Sequence, residues 1–325
     1  MDAKLSRRDA LKAGGTAAVG VIALRSVGNA AGQTPPPADI PASNRPGGVL
    51  SAYQCDRNIW VRIDDAVFCC YRAGADQKYP YFYPLTGPAT GMSVTEESSV
   101  PWPHHRSLFF GCDHVNGGNY WQDALSRGQI VSRGPRIESA DERAVLLADV
   151  CDWRRGDDEP IIEDRRTYRI TAPDASTRIL DCRITLTART DIQITKTNHS
   201  LFAVRAARGL APLGGGRLLN SAGQSGEKAT FGQPASWCGF EGVRFGQTES
   251  IVLMDDPQNP WYPCQWFTRD YGFASPTPFF WIDEKEPWRL PKGQTLALSY
   301  RVAVLAGPLD RARLDCMHRD WSSRA

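Results

Sequence analysis

The chain has 325 residues, 42% of them apolar and 23% charged, with ten Trp, ten Tyr and twelve Phe, an aromatic excess common in β structure and on sugar-contacting surfaces. Its formal charge of +2 sits at the N-terminus: the first 31 residues carry five Lys/Arg against two Asp, and the remaining 33 basic and 34 acidic side chains leave a net charge of −1. That balance offers no basic surface for nucleic acid or an anionic membrane.

In chain order, the first signal is Ser6-Arg7-Arg8-Asp9-Ala10-Leu11-Lys12, ahead of an apolar run from Ala13 to Leu24 and the small residues Gly28-Asn29-Ala30-Ala31. This predicts a cleaved twin-arginine leader over 1–31 and a periplasmic or extracytoplasmic destination. The run is too short to span about 30 Å of hydrocarbon, so no membrane association is expected after cleavage. A twin-arginine substrate is exported folded, and the nine cysteines, an odd number without a CxxC pair, read mostly as small core residues. Residues 32–48 are Pro-rich and read as a linker, 49–308 as one domain, and 309–325 as a tail, helical from Leu309 to Met317.

Within the domain, residues 59–72 form a hairpin signal around Asp64-Asp65. Tyr79, Tyr81 and Tyr83 recur at every second position, so an extended chain presents three rings on one face. Pro80 and Pro84 remove two ladder donors, which predicts a sheet edge or cleft rim there. Short Val/Ile/Leu/Thr-rich runs follow at 129–137, 143–153, 161–171, 177–188 and 191–196, and Thr295 to Leu305 forms a last alternating strand. No sustained helical period interrupts them. The expected fold is all-β, a large antiparallel β-sandwich, with a galactose-mutarotase-like supersandwich as one form of it.

Three of five histidines fall between Tyr79 and Trp121. Adjacent side chains on a strand point to opposite faces, so of His104 and His105 one is expected to face a cleft and the other to pack behind it. His114 precedes Asn116-Gly117, a tight-turn signal, and could approach that pair through the turn. His199 shares parity with Arg205, and two cations on one face call for a hydroxyl-rich or anionic ligand or a carboxylate such as Glu163. No HxH, HExxH or Cys/His zinc spacing is present, so no metal ligands and no cofactor are assigned. A general acid or base needs only one imidazole that titrates near neutrality.

The ordered motifs Tyr79-Pro80-Tyr81-Phe82-Tyr83-Pro84-Leu85, Pro103-His104-His105-Arg106-Ser107-Leu108, Asn116-Gly117 with Trp121, His199 to Arg205, and Asn259-Pro260 leading to Trp266 and Arg269-Asp270-Tyr271-Gly272 resemble the bacterial family labelled "methane oxygenase PmoA". The likeness runs from about Val49 to Gly307. It implies a large β-sandwich encoded among sugar-degrading and oxidoreductase genes; a metal is the lesser alternative, suggested by the cluster of His104, His105 and His114 and by the oxygenase label, which belongs to a membrane protein. Family members carry Asp-His ahead of the Pro-His-His-Arg run, where this chain has Pro101-Trp102.

The expectation is therefore a carbohydrate-active enzyme acting on a saccharide or modified sugar by lysis, hydrolysis or isomerisation. The rival readings are a non-catalytic glycan-binding protein and a metal-dependent oxygenase. His104, His105, His199 and Glu163 are the candidate acid/base groups. Arg106, Arg205, Tyr81, Tyr83, His114, Asn116, Trp121, Asn259, Trp266, Arg269 and Tyr271 are the candidate binding groups, with 79–121, 199–205 and 259–271 converging on one pocket.

Overall fold

The structure, a computed structural model, describes residues 47–98, 100–122 and 124–323. The leader and nearly all of the linker lie outside the described residues.

Alternating apolar positions build two antiparallel sheets. The first has eight strands in the spatial order Leu50–Cys55, Asn58–Ile63, Ala66–Arg72, Tyr81–Leu85, Leu108–Cys112, Ser200–Arg205, Phe273–Pro276 and Trp266–Arg269. The second runs Arg217–Asn220, Trp237–Arg244, Gln247–Asp255, Thr295–Ala306, Thr177–Ala188, Ile162–Asp174, Ala144–Arg154 and Gln129–Ser132, with Arg136–Ala140 also paired to Ala144–Arg154. The all-β sandwich expected from the sequence is the fold observed.

The inner faces meet through aromatic contacts: Phe82 on Tyr168 at 4.8 Å, Phe202 on Tyr300 at 4.8 Å and Phe110 on Trp153 at 6.1 Å. Between them lies a fully buried ion pair, Arg166 with Asp164 at 2.5 Å, and Trp153 Nε1 donates to the same Asp164 oxygen at 3.1 Å. Seven cysteines are buried, Cys55 and Cys316 are exposed, and all nine are free thiols. The helix Arg311–Ser322, capped by Asp310, lays Leu314 against a small cluster with Trp237 and Met254 on the second sheet.

The strand Tyr81–Leu85 is not at an edge; it lies fourth of eight, between Ala66–Arg72 and Leu108–Cys112. Proline is tolerated there because pairing is sparse. Pro84 falls where the register to Ala66–Arg72 shifts, and only Tyr81 and Phe82 pair with Leu108–Cys112.

Candidate functional site

Chemistry-bearing side chains collect on the outer face of the first sheet, over Tyr81–Leu85, Leu108–Cys112 and Ser200–Arg205. Gly111 makes room for them: a Cβ there would lie 2.7 Å from the carbonyl oxygen of Tyr120, so only glycine lets the Tyr120–Trp121 segment lie flat on the sheet. Trp121 is thereby set edge-on to Phe109, their centroids 4.7 Å apart. Tyr79 stacks on Phe109 at 4.8 Å, and its hydroxyl donates to the backbone carbonyl of His104.

His104 and His105 do not point to opposite faces, because they are not on a strand: their rings meet edge to face at 4.5 Å, and they differ in burial. Residues 101–106 form turns, and Ser107, at φ 65°, reverses the backbone before the strand opens at Leu108. His105 is 3% exposed and stacks 4.4 Å from Phe273, with Tyr271 at 6.1 Å. Burial first, then His104, Arg205 and His199, push its pKa down to about 2. A ring held neutral behind the site is a packing element, so His105 drops out as an acid or base. His104 is half-buried at the front, its centroid 5.9 Å from that of His199.

His199 is the best-oriented of these imidazoles. Its Nδ1 lies 2.8 Å from Asp113 Oδ2, and the other Asp113 oxygen accepts from the Thr197 hydroxyl. Thr197 Oγ1 in turn accepts from the backbone N–H of His199 at 3.0 Å. Asp113 is buried, the His199 ring stacks on Trp121 at 5.5 Å, and Gln122 Nε2 approaches Nδ1 at 3.4 Å. With Nδ1–H donating to the carboxylate, Nε2 carries the lone pair, the arrangement in which an aspartate orients a histidine for proton transfer. A cleft of about 400 Å³ opens beside it, lined by His104, Arg106, Trp121, Gln122 and Lys78.

The partner of His199 is thus Asp113 and not Glu163. The Glu163 carboxylate lies on the other sheet among Arg165 at 2.9 Å, Arg133 at 3.2 Å and Arg189. Arg106, Tyr81 and Tyr83 belong to a network around Glu97 rather than to an open stacking platform. The Tyr81 hydroxyl donates to Glu97, Arg106 and Arg72 approach Glu97 at 3.5 and 3.3 Å, and these two guanidiniums cover the rings of Tyr81 and Tyr83.

Of the remaining expectations, Arg205 is buried, lies 4.6 Å over the Tyr271 ring and faces Glu96 at 3.8 Å. Tyr271 also stands 6.3 Å from Trp102, an exposed ring that closes the upper side of the histidine pair. His114 does not join that pair. Its Nδ1 meets the Lys196 carbonyl at 2.9 Å, and with Asn116 it lines a separate cleft of about 450 Å³. Trp266 is a core residue whose Nε1 donates to the Ala235 carbonyl at 2.8 Å. Asn259 bridges Asp255 at 2.7 Å and the Ser299 carbonyl at 2.8 Å, beside the second sheet. Arg269 lies over the rings of Phe267 and Phe231 and pairs with Glu227 at 3.2 Å. The first two segments therefore converge, and the third contributes Tyr271 alone.

Sequence reasoning missed Asp113, Thr197, Gln122, Glu97 and Trp102. The signal for Asp113 lay in the strand pairing Ser200↔Cys112, which sets Asp113 opposite His199. Among the described residues no group of three or more His, Cys, Asp or Glu has metal-binding geometry, and no helix is long and apolar enough to cross a membrane.

Residues 58–318 match a family of unknown function, DUF6807, and the chain belongs to that family. Its description carries no activity and does not support the methane oxygenase label. No curated protein matches the sequence significantly. Solved structures similar to this chain include a protein described as a kojibiose phosphorylase, from the human microbiome, at 9% identity and a TM-score of 0.32 over 79% of this chain and 32% of that one. A polysaccharide lyase is similar at 13% identity and a TM-score of 0.30 over 82% of this chain and 34% of that one. A galactose mutarotase related enzyme from Lactobacillus acidophilus is similar at 9% identity and a TM-score of 0.28, over 80% and 99% of the two chains. The chain spans about a third of the length of the first two.

Proposed function

We propose that this chain is an exported carbohydrate-active enzyme in which His199, oriented by Asp113, moves a proton on a bound saccharide or modified sugar. The observation that carries the reading is the 2.8 Å bond from His199 Nδ1 to the buried Asp113 carboxylate, behind a cleft lined by His104 and by Trp121, on which the His199 ring stacks. A lone pair at Nε2 can take a proton from a sugar hydroxyl or from a carbon next to a carbonyl, and Asp113 stabilises the imidazolium that results. His104 is near enough for one sugar hydroxyl to reach both imidazoles, so it serves as the complementary donor. The exposed Trp102 offers a ring face, Trp121 is the buried floor beneath His199, and Arg106, held by Glu97, offers donors to hydroxyls. Hydrolysis, elimination and isomerisation all draw on this set.

The test is incubation of the purified protein with a panel of neutral and oxidised mono- and oligosaccharides, with product analysis and metal quantification on the same sample. A product formed by the wild type and lost in His199→Ala supports the reading. Turnover retained in both His199→Ala and His104→Ala ends it. Tight binding without product points to a glycan-binding protein, and stoichiometric copper or iron points to the oxygenase of the family label.

A further inference from the structure

The outer face of the second sheet carries a row of arginines, and most of them are matched to acids. Arg133 holds Asp152 at 2.6 Å, Arg165 and Arg189 hold Glu163, and Arg301 holds Asp181 through two bonds of 2.6 and 2.8 Å. Arg169 and Arg183 are exceptions near the middle of the sheet, as is Arg154 at its edge. Arg169 and Arg183 are both exposed, and among the described residues neither has a hydrogen bond or an ion pair.

Strand register sets the two side by side. Arg169 lies directly opposite Asp181, and Arg183 is two residues further along the same strand, so both project from one face as diagonal neighbours. Diagonal neighbours in an antiparallel pair are about 7–8 Å apart at Cα, close enough for two guanidiniums to share one oxyanion. The acids nearby are already engaged. Asp181 is taken by Arg301, Asp256 accepts from the Gln258 N–H at 2.8 Å, and Asp141 caps its own turn through the N–H groups of Arg143 and Ala144, with the charge of Arg169 acting on it only at a distance. Asp181, which lies between Arg169 and Arg183 in the register, is already bonded twice to Arg301, so the three guanidiniums lining this face outnumber its two carboxylates, Asp181 and Asp256.

The surface there is concave. The C-terminal helix turns Trp321 over the sheet, Arg301 packs under that ring at 5.2 Å, and an open cleft of about 430 Å³ is lined by Arg169, Arg183 and Arg301, by the carboxylates of Asp181 and Asp256, and by Thr167, Ser299 and Trp321. Two unmatched guanidiniums, two hydroxyls and an indole form the donor set and stacking surface that a charged sugar needs.

We propose that this cleft is a second ligand site, separate from the histidine site and on the opposite sheet, and that it takes an acidic saccharide. The oxyanion of the ligand bridges Arg169 and Arg183, its hydroxyls meet Thr167 and Ser299, and its ring lies against Trp321. Carboxylate and sulfate esters share the chemistry that this pair of guanidiniums recognises.

Calorimetric titration of the full protein with three probes tests the site: a galacturonate trisaccharide, a sulfated galactose trisaccharide and neutral galactotriose. At least one acidic probe is expected to bind tenfold or more tightly than the neutral one, and which of them does so identifies the oxyanion. Arg169→Gln and Arg183→Gln, both at exposed positions, are each expected to weaken that binding at least fivefold, and His199→Ala to leave it unchanged. Equal binding of acidic and neutral probes, or an Arg169→Gln/Arg183→Gln double variant with wild-type affinity, overturns the proposal. So does acidic-probe binding that disappears in His199→Ala and survives in the double variant, because it then belongs to the histidine site.

Discussion

Replacing His105 by Phe tests whether that imidazole is a neutral packing element. In the folded protein its pKa is pushed down to about 2, against an ordinary value of 6.5, with burial as the main cause. The unfolded chain therefore binds one more proton than the folded one throughout that interval, and His105 costs stability as pH falls below 6.5. One pKa unit corresponds to about 1.4 kcal/mol, so acidification from pH 6.5 to about pH 4.5 should cost roughly 3 kcal/mol through this residue alone. Phenylalanine fits the aromatic surroundings of Phe273, Phe109 and Tyr271, and His105 Nδ1 has no hydrogen-bond partner to lose. His105→Phe should then match the wild type to within about 1.5 kcal/mol at pH 7 and gain on it steadily as pH falls. Urea unfolding of both proteins at pH 7.0, 6.0, 5.0 and about 4.5 gives the difference directly, and cancels the contributions of other titrating groups. Parallel acid slopes in the two proteins would refute a neutral, buried His105.

Asp113→Asn should lower any turnover found in the saccharide screen by about 10²–10⁴-fold with a much smaller effect on KM, because it removes the group that fixes the His199 tautomer. The same variant can be read without a substrate: imidazole nitrogen shifts should show His199 protonated at Nδ1 in the wild type and as a tautomer mixture in Asp113→Asn. Gly111→Ala drives a methyl against the Tyr120 carbonyl, and should cost about 1–3 kcal/mol in urea unfolding and weaken ligand binding by displacing Trp121. Asn259→Ala removes the bridge between Asp255 and the Ser299 backbone; it should destabilise by about 2–4 kcal/mol and leave any turnover at the histidine site unchanged, the opposite of what a residue of that site would do.

Strands with strict alternation were legible at residue resolution. Thr177–Ala188 forms over the run read from the sequence, and the last strand extends one residue past it, to Ala306, because its inward positions Leu296, Leu298, Tyr300 and Val302 leave one register that buries them. The run at 129–137 was read as one strand and forms parts of two, Gln129–Ser132 and Arg136–Ala140, with Gly134 at φ 132° turning the chain between them. Proline was the misleading signal at Tyr81–Leu85. A missing N–H forbids a ladder bond, but the sequence does not show where a central ladder already lacks one.

The site was half legible, for a related reason. Parity along a strand misplaced His104 and His105: in the turns at 101–106 the two rings meet edge to face at 4.5 Å on one side of the sheet, and only burial tells them apart. Asp113 and His199 meet only because Leu108–Cys112 pairs with Ser200–Arg205, a contact between segments that local pattern does not connect. Net charge has the same blindness. A balance of −1 beyond the leader argues against binding to extended polyanions, which sum charge over a whole surface. It is silent about a single oxyanion, since Arg169 and Arg183 stand unmatched on one face of the second sheet while the inner face of that sheet spends Arg166 on Asp164. What a ligand meets is the local remainder after each acid has found its base, and pairing across strands, not composition, decides that remainder.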